Sequence, residues 1–200
     1  MTIVEDRPDA ADNVARKAMI DGQLRTSGVI ADFVLRRMGA VAREDFVPEA
    51  ARGFAYHDRA IALGGGRFLA APVVQGLMLQ EAQPRQADDA LLVDGGSGYL
   101  AELLRPLVAS LQVLSPAEAV AAKGRKQYSL LMVDGAAEQL PAALVRQLAP
   151  DGRAVTGIVQ DGITRLAFGR RAGDELALLP LADLGIPVLP EFAAPKGWSF

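Results

Sequence analysis

Apolar residues at Val34, Leu35, Met38 and Val41 recur at helical spacing and predict an amphipathic helix with its stripe toward a core. Upstream, Asn13 to Thr26 reads as a helix capped by Asn13, with Val14, Ala18 and Leu24 on one face despite Gly22. Ala71 to Glu81 reads as another, with Pro72 in the first turn, where a missing N–H has no helical partner to lose. The period then changes. Ala90-Leu91-Leu92-Val93 is a short apolar run that breaks into Asp94-Gly95-Gly96-Ser97-Gly98, after which Leu100, Leu103, Leu104 and Leu107 resume helical spacing. Strand, glycine turn and helix open a βα unit. Ser110–Leu114 and Tyr128–Val133 follow as strands, and Pro141 starts a helix carrying Leu144 and Leu148. Ala154–Val159 and Ile163–Phe168 flank Gln160-Asp161-Gly162, a hairpin signal. The Leu- and Pro-rich tail supplies a last strand.

This alternation predicts an α/β chain: a three-layer, Rossmann-like fold with N-terminal helices, a sheet parallel at first, and a C-terminal antiparallel hairpin. Residues 1–12 read as a flexible N-terminus and 13–200 as a single domain. Within it, 13–82 form a lead-in and 90–200 the sheet core. Residues 43–69, with Pro48, clustered aromatics and Gly64-Gly65-Gly66, read as irregular surface structure. Ligands of such sheets lie at the carboxyl ends of the strands, so Asp94–Tyr99, the turn at Ser115 and Asp134-Gly135-Ala136 share one rim.

Composition narrows the chemistry. Lys+Arg 21 against Asp+Glu 24 gives a net charge of −3, which argues against a nucleic-acid partner. With no Cys and a single His, thiolate chemistry is excluded and a metal site is not expected. No apolar run approaches the ~20 residues of a membrane span. An acidic, polar N-terminus is not a secretory signal, so a cytoplasmic placement is expected.

Glycines after the first strand let a ligand approach the backbone, and the amides beyond them can hold a polar or anionic group. A tight strand-to-helix turn is the alternative reading. Nucleotide sites usually add a carboxylate after the second strand. Here that position is Leu114-Ser115-Pro116, with no acid until Glu118. The twelve residues from Pro116 to Gln127 are also too few for a full crossover unit, so the central sheet is shortened.

Gln23-Leu24-Arg25, Arg43-Glu44-Asp45-Phe46-Val47-Pro48-Glu49, Ala55-Tyr56-His57-Asp58, Gly64 to Pro72, Ser97-Gly98-Tyr99, Val133-Asp134-Gly135-Ala136 and Pro150 to Val159 occur in this order. In that series the chain resembles the protein-L-isoaspartate O-methyltransferases, in particular short bacterial members. The resemblance implies S-adenosylmethionine as cofactor and an isoaspartyl-containing protein or peptide as substrate. It also implies a cofactor site at Asp94, Gly95, Gly96, Ser97, Gly98, Tyr99, Ser115, Asp134 and Gly135. A substrate loop is implied at Gly64, Gly65, Gly66, Ala70, Ala71 and Pro72. The chain departs from the family pattern at several ligand positions. Asp94 stands where the first of three glycines is expected, Leu92 at an acidic position, Ser115 at the ribose-binding acid and Ala70-Ala71 in place of Ser-Gln. These changes predict weakened or lost cofactor binding. The alternative is a non-catalytic binding or assembly protein that retains the fold; another small ligand held by Asp94 and Asp134 is a third.

Overall fold

The computed structural model describes residues 14–124 and 126–194. Residues 1–12 and the expected cap Asn13 therefore lie outside the described residues. Helix α1 (Val14–Met19) runs into a wider π-turn over Ile20–Leu24 and a 3-10 turn over Arg25–Ser27. This corrects the expected stripe: Val14 is 82% exposed and Ala18 is exposed, whereas Arg16, Met19 and Leu24 are buried. A six-residue helix followed by a wider turn does not carry one 3.6-residue period from Val14 to Leu24. Helix α2 (Asp32–Ala40) follows its stripe, with Val34, Leu35 and Met38 buried.

The expected irregular stretch is more ordered than its composition implied. Two 3-10 turns (Arg43–Phe46 and Glu49–Phe54) lead into an antiparallel hairpin, β1 (Ile61–Gly64) and β2 (Arg67–Leu69). Gly64, Gly65 and Gly66 all take positive φ at its tip, a conformation that excludes most side chains. Helix α3 (Pro72–Ala82) then starts with Pro72 at its first position, as expected.

The central sheet holds β3 (Asp89–Val93), β4 (Ser110–Leu114), β5 (Tyr128–Ala137), β6 (Leu148–Gln160), β7 (Ile163–Ala172) and β8 (Glu175–Asp183) in the order β4-β3-β5-β6-β7-β8. The first four strands in that order are parallel, and β7 and β8 are antiparallel additions. Asp161 and Gly162 both take positive φ between β6 and β7, the two-residue turn that the Asp-Gly pair predicts. Helix α4 (Tyr99–Leu104) follows β3, α5 (Pro116–Ala121) follows β4, and α6 (Ala142–Gln147) follows β5. The short connection after β4 thus holds one six-residue helix, and β4 is the edge of the sheet.

Side chains alternate through the sheet. Ala90, Leu92, Leu130, Met132 and Val155 join the core that α1 to α4 cover. Leu91, Val93, Leu131, Val133 and Ala154 join a second core with Ala119 of α5 and Leu144 of α6. Burial on both faces explains why β3 reads as a continuous apolar run rather than an alternating one. Each fully buried Leu or Val contributes about 1.5–3 kcal/mol relative to exposure.

The tail does more than add β8. Past Asp183 it returns to the end of β5, where Ala136 N–H donates to Pro187 O at 2.8 Å and Leu189 N–H to Ala136 O at 2.9 Å. A 3-10 turn at Pro190–Phe192 then buries Phe192 in the second core.

Candidate active site

The ends of β3, β4 and β5 converge as the topology requires. Asp94 N–H donates to Leu114 O at 2.9 Å, which brings the glycine turn beside Ser115. Gly95 lies against β5: a Cβ placed on it would meet Asp134 O at 2.3 Å. Gly96 and Gly98 have φ of 114° and 75°. Glycine is thus required at these three positions by the chain's own backbone, before any ligand is considered.

Asp94 closes the turn on itself. Gly96 N–H donates to its Oδ2 and Gly98 N–H to its Oδ1, each at 2.9 Å. Ser97 Oγ accepts from Tyr99 N–H at 3.2 Å. Tyr99 is fully buried, edge-on to Phe46 at 5.3 Å between centroids, with the Arg43 guanidinium 4.9 Å from its ring centre. Burial pushes the Tyr99 hydroxyl up, against the Arg43 charge, and that hydroxyl has no hydrogen-bond partner among the described residues.

Arg43 was visible in the sequence only as part of a motif. Its buried guanidinium donates to Ala55 O at 2.8 Å, to Gln75 Oε1 at 2.7 Å and to Ala70 O. Gln75 in turn donates from Nε2 to Asp134 Oδ2 at 2.9 Å. A carboxamide with both ends engaged has only one workable orientation. The Arg43 charge is therefore linked to Asp134 through Gln75 and not by direct contact. The other Asp134 oxygen, Oδ1, is buried without a partner. Burial and then the Asp94 charge push the Asp134 carboxyl up to about 7, against the Gln75 hydrogen bond and the Arg43 charge.

Ser115 caps α5 in a reciprocal box. Its Oγ accepts from Glu118 N–H at 3.3 Å, and Glu118 Oε2 accepts from Ser115 N–H and Oγ–H at 2.7 Å each. The S-x-x-E spacing is the signal that would have found this. These bonds hold the Glu118 carboxyl below its usual range and return a carboxylate to the end of β4. Gly135 makes room for the tail: a Cβ there would lie 2.6 Å from Leu189 Cγ.

The expected substrate loop divides. Ala70 and Ala71 border the buried network, Ala70 through its carbonyl to Arg43 and Ala71 as the N-cap of α3. Gly64 to Gly66 form an exposed tip with open space around them. Arg67, the next residue, joins the tip to the rim. Its stem covers Gly96, where an added Cβ would lie 3.1 Å from Arg67 Cβ, and its guanidinium pairs with both carboxylate oxygens of Glu191. The remaining motif residues fasten the lead-in: Arg16 donates to Tyr56 Oη at 2.8 Å, and Tyr56 donates to Glu44.

Against this geometry, the family model for protein-L-isoaspartate(D-aspartate) O-methyltransferases (PCMT) matches residues 14–120. A protein-L-isoaspartate O-methyltransferase of Roseiflexus sp. (strain RS-1) is 32% identical over 194 residues, 84% of this chain and 88% of that protein. The chain belongs to this family. An Aeropyrum pernix member is 37% identical over 174 residues, 72% of this chain and 66% of the relative. The fold is also that of solved family structures. A Plasmodium falciparum member in complex with S-adenosyl-L-homocysteine superposes with TM-score 0.71 at 18% identity, covering 88% of this chain and 98% of that one. Among the described residues, no helix is long and apolar enough to cross a membrane and no cluster of acids or histidine has the makings of a metal site.

Proposed function

We propose that this chain is an S-adenosylmethionine-dependent carboxyl methyltransferase acting on isoaspartyl residues of damaged proteins. Family membership supports the reaction, and one observation in this chain carries the cofactor: Asp134 Oδ1, a buried acceptor without a partner, beside the glycine turn. An orphaned carboxylate oxygen is costly unless a cation or donor completes it. S-adenosylmethionine has both a sulfonium and an ammonium. At the end of β4, the exposed Glu118 carboxylate is an acceptor for a sugar diol, three residues later than the usual acid. The residues present therefore fit the cationic and sugar portions of the cofactor. Leu92, fully buried in the first core, contributes only packing.

When bound, the cofactor supplies an electrophilic methyl carbon on a sulfonium. An isoaspartyl carboxylate is ionised near neutral pH and attacks without a general base. Held by Asp134 and Glu118, the cofactor would give that methyl to the carboxylate oxygen, the C–S electron pair staying on sulfur as the neutral thioether. The protein's work is alignment and exclusion of water. In this reading Asp134 and Glu118 hold the cofactor, and the Arg43–Gln75 pair fixes Asp134 from behind. Gly64 to Gly66 and Arg67 border the substrate. No charged nucleophile is required of the chain.

Asp94 favours a second reading, a binding or assembly protein that keeps the fold, because it already occupies the turn amides. Isothermal calorimetry with S-adenosylhomocysteine separates the two. Micromolar binding is expected for the transferase, and absence of heat up to millimolar ligand would leave the second reading.

A further inference from the structure

We propose that Asp94 is an intramolecular plug of the glycine turn, holding the amides that a ligand's carboxylate would otherwise take. The inference rests on the cofactor reading above and concerns what sets its affinity. Backbone N–H groups converging in a turn at the end of a parallel strand form an anion-binding concavity. In this chain that concavity is filled from within. Each oxygen of the Asp94 carboxylate accepts one converging amide, from Gly96 and Gly98, at 2.9 Å. Both glycines take positive φ in this turn. The amide of Tyr99 is met by Ser97 Oγ. No turn donor among these three remains for an incoming anion.

The second side of the rim is an acceptor. Asp134, 4% exposed, keeps Oδ1 without a partner a short step across Gly95. The chain thus supplies its own anion to the donors and presents an acceptor to a cation. A ligand bearing both an ammonium and a carboxylate meets one prepared position and one occupied position. Its carboxylate must displace that of Asp94, exchanging charge-assisted hydrogen bonds of one kind for others of the same kind, so the amides yield little net affinity. A ligand that lacks the carboxylate needs no such exchange.

Two ligands and two substitutions test this. S-adenosylhomocysteine carries the amino-acid carboxylate, and 5′-methylthioadenosine lacks the amino-acid portion. Asp94 has a negative φ, so Asp94→Ala removes the carboxylate while keeping a Cβ the backbone accepts; Asp94→Gly is the second variant should that one fold poorly. Calorimetry on the full chain is expected to show S-adenosylhomocysteine binding about tenfold to a hundredfold tighter to the variant than to the natural protein. Binding of 5′-methylthioadenosine should stay within about twofold, well inside the factor that one lost hydrogen bond produces. Tighter binding in the variant alone, with none in the natural chain, would uphold the plug and defeat the native transferase reading. Equal binding of S-adenosylhomocysteine to both forms would overturn the plug and leave that reading intact. An equal gain for both ligands would also overturn it, as general loosening of the rim. Absence of binding in every form would overturn both.

Discussion

Gln75 donates from its carboxamide to Asp134 at 2.9 Å, and no other described residue satisfies either carboxylate oxygen of Asp134. The same carboxamide accepts from Arg43. Replacing it with a similar-sized apolar group, Gln75→Leu, strips Asp134 of its partner and Arg43 of one acceptor. Chemical denaturation is expected to show a loss of about 1–3 kcal/mol with the denaturant slope unchanged. A loss below ~0.5 kcal/mol, the range of an ordinary surface substitution, would show that the network is not a structural tie.

Asp134 also sets a pH dependence. Its carboxyl titrates at about 7 in the folded chain, against an ordinary carboxylate value once unfolded. Between those values the folded state binds the additional proton, so stability falls as pH rises from about 4 to 7 and then levels. Asp134→Asn removes this component. Denaturation at pH 5 and pH 8 should therefore show a smaller decline for the variant. An equal decline in both proteins would contradict the assignment.

The same proton reports on the ligand. If a cofactor cation completes Asp134 Oδ1, binding favours the ionised carboxyl and releases a proton below pH 7. Affinity for S-adenosylmethionine is then expected to rise from pH 6 to pH 8. The calorimetric heat at pH 6.5 should depend on the ionisation enthalpy of the buffer. Buffer-independent heats would remove Asp134 from the site.

Glu118 tests the sugar position. Gln at that place can still complete the capping box with Ser115, so Glu118→Gln should leave the melting temperature close to that of the natural chain. Removing the charge from a diol acceptor should weaken S-adenosylhomocysteine about tenfold. Unchanged affinity would locate the sugar elsewhere.

Arg67 and Glu191 join the hairpin to the tail across the rim. Both side chains are about a quarter exposed, at 28% and 26%, so the pair adds little to global stability. Its effect is local. Glu191→Gln is expected to cost less than about 1 kcal/mol, yet to speed hydrogen exchange at the Ala136 and Leu189 amides that tie the tail to β5. Unchanged exchange would show that the Arg67–Glu191 pair does not help hold the tail on β5.

Much of this architecture is legible along the chain because it rests on short-range chemistry. The apolar run before Asp94, the Asp161-Gly162 turn and the stripe from Val34 to Met38 each declare an element locally. The hairpin at Gly64 to Gly66 also has a local signal, short apolar runs on either side of consecutive glycines. The turn at Ile20–Leu24 changes the period, so spacing from Val14 to Leu24 does not mark the buried face. At the rim, the sequence shows Asp94 as a departure but not that its carboxylate folds back onto Gly96 and Gly98. The Arg43–Gln75–Asp134 chain joins three distant segments, and no spacing announces such a contact. Ser115 and Glu118 are the opposite case, a local motif that caps α5 at the end of β4.

The most direct measurement is methyl transfer itself. The purified protein is incubated with S-adenosylmethionine carrying a labelled methyl group and either an isoaspartyl peptide or its aspartyl counterpart. The expected result is a base-labile methyl ester on the isoaspartyl peptide, well above the level on the aspartyl one. Equal label on both peptides, or none on either at saturating cofactor, would contradict the account.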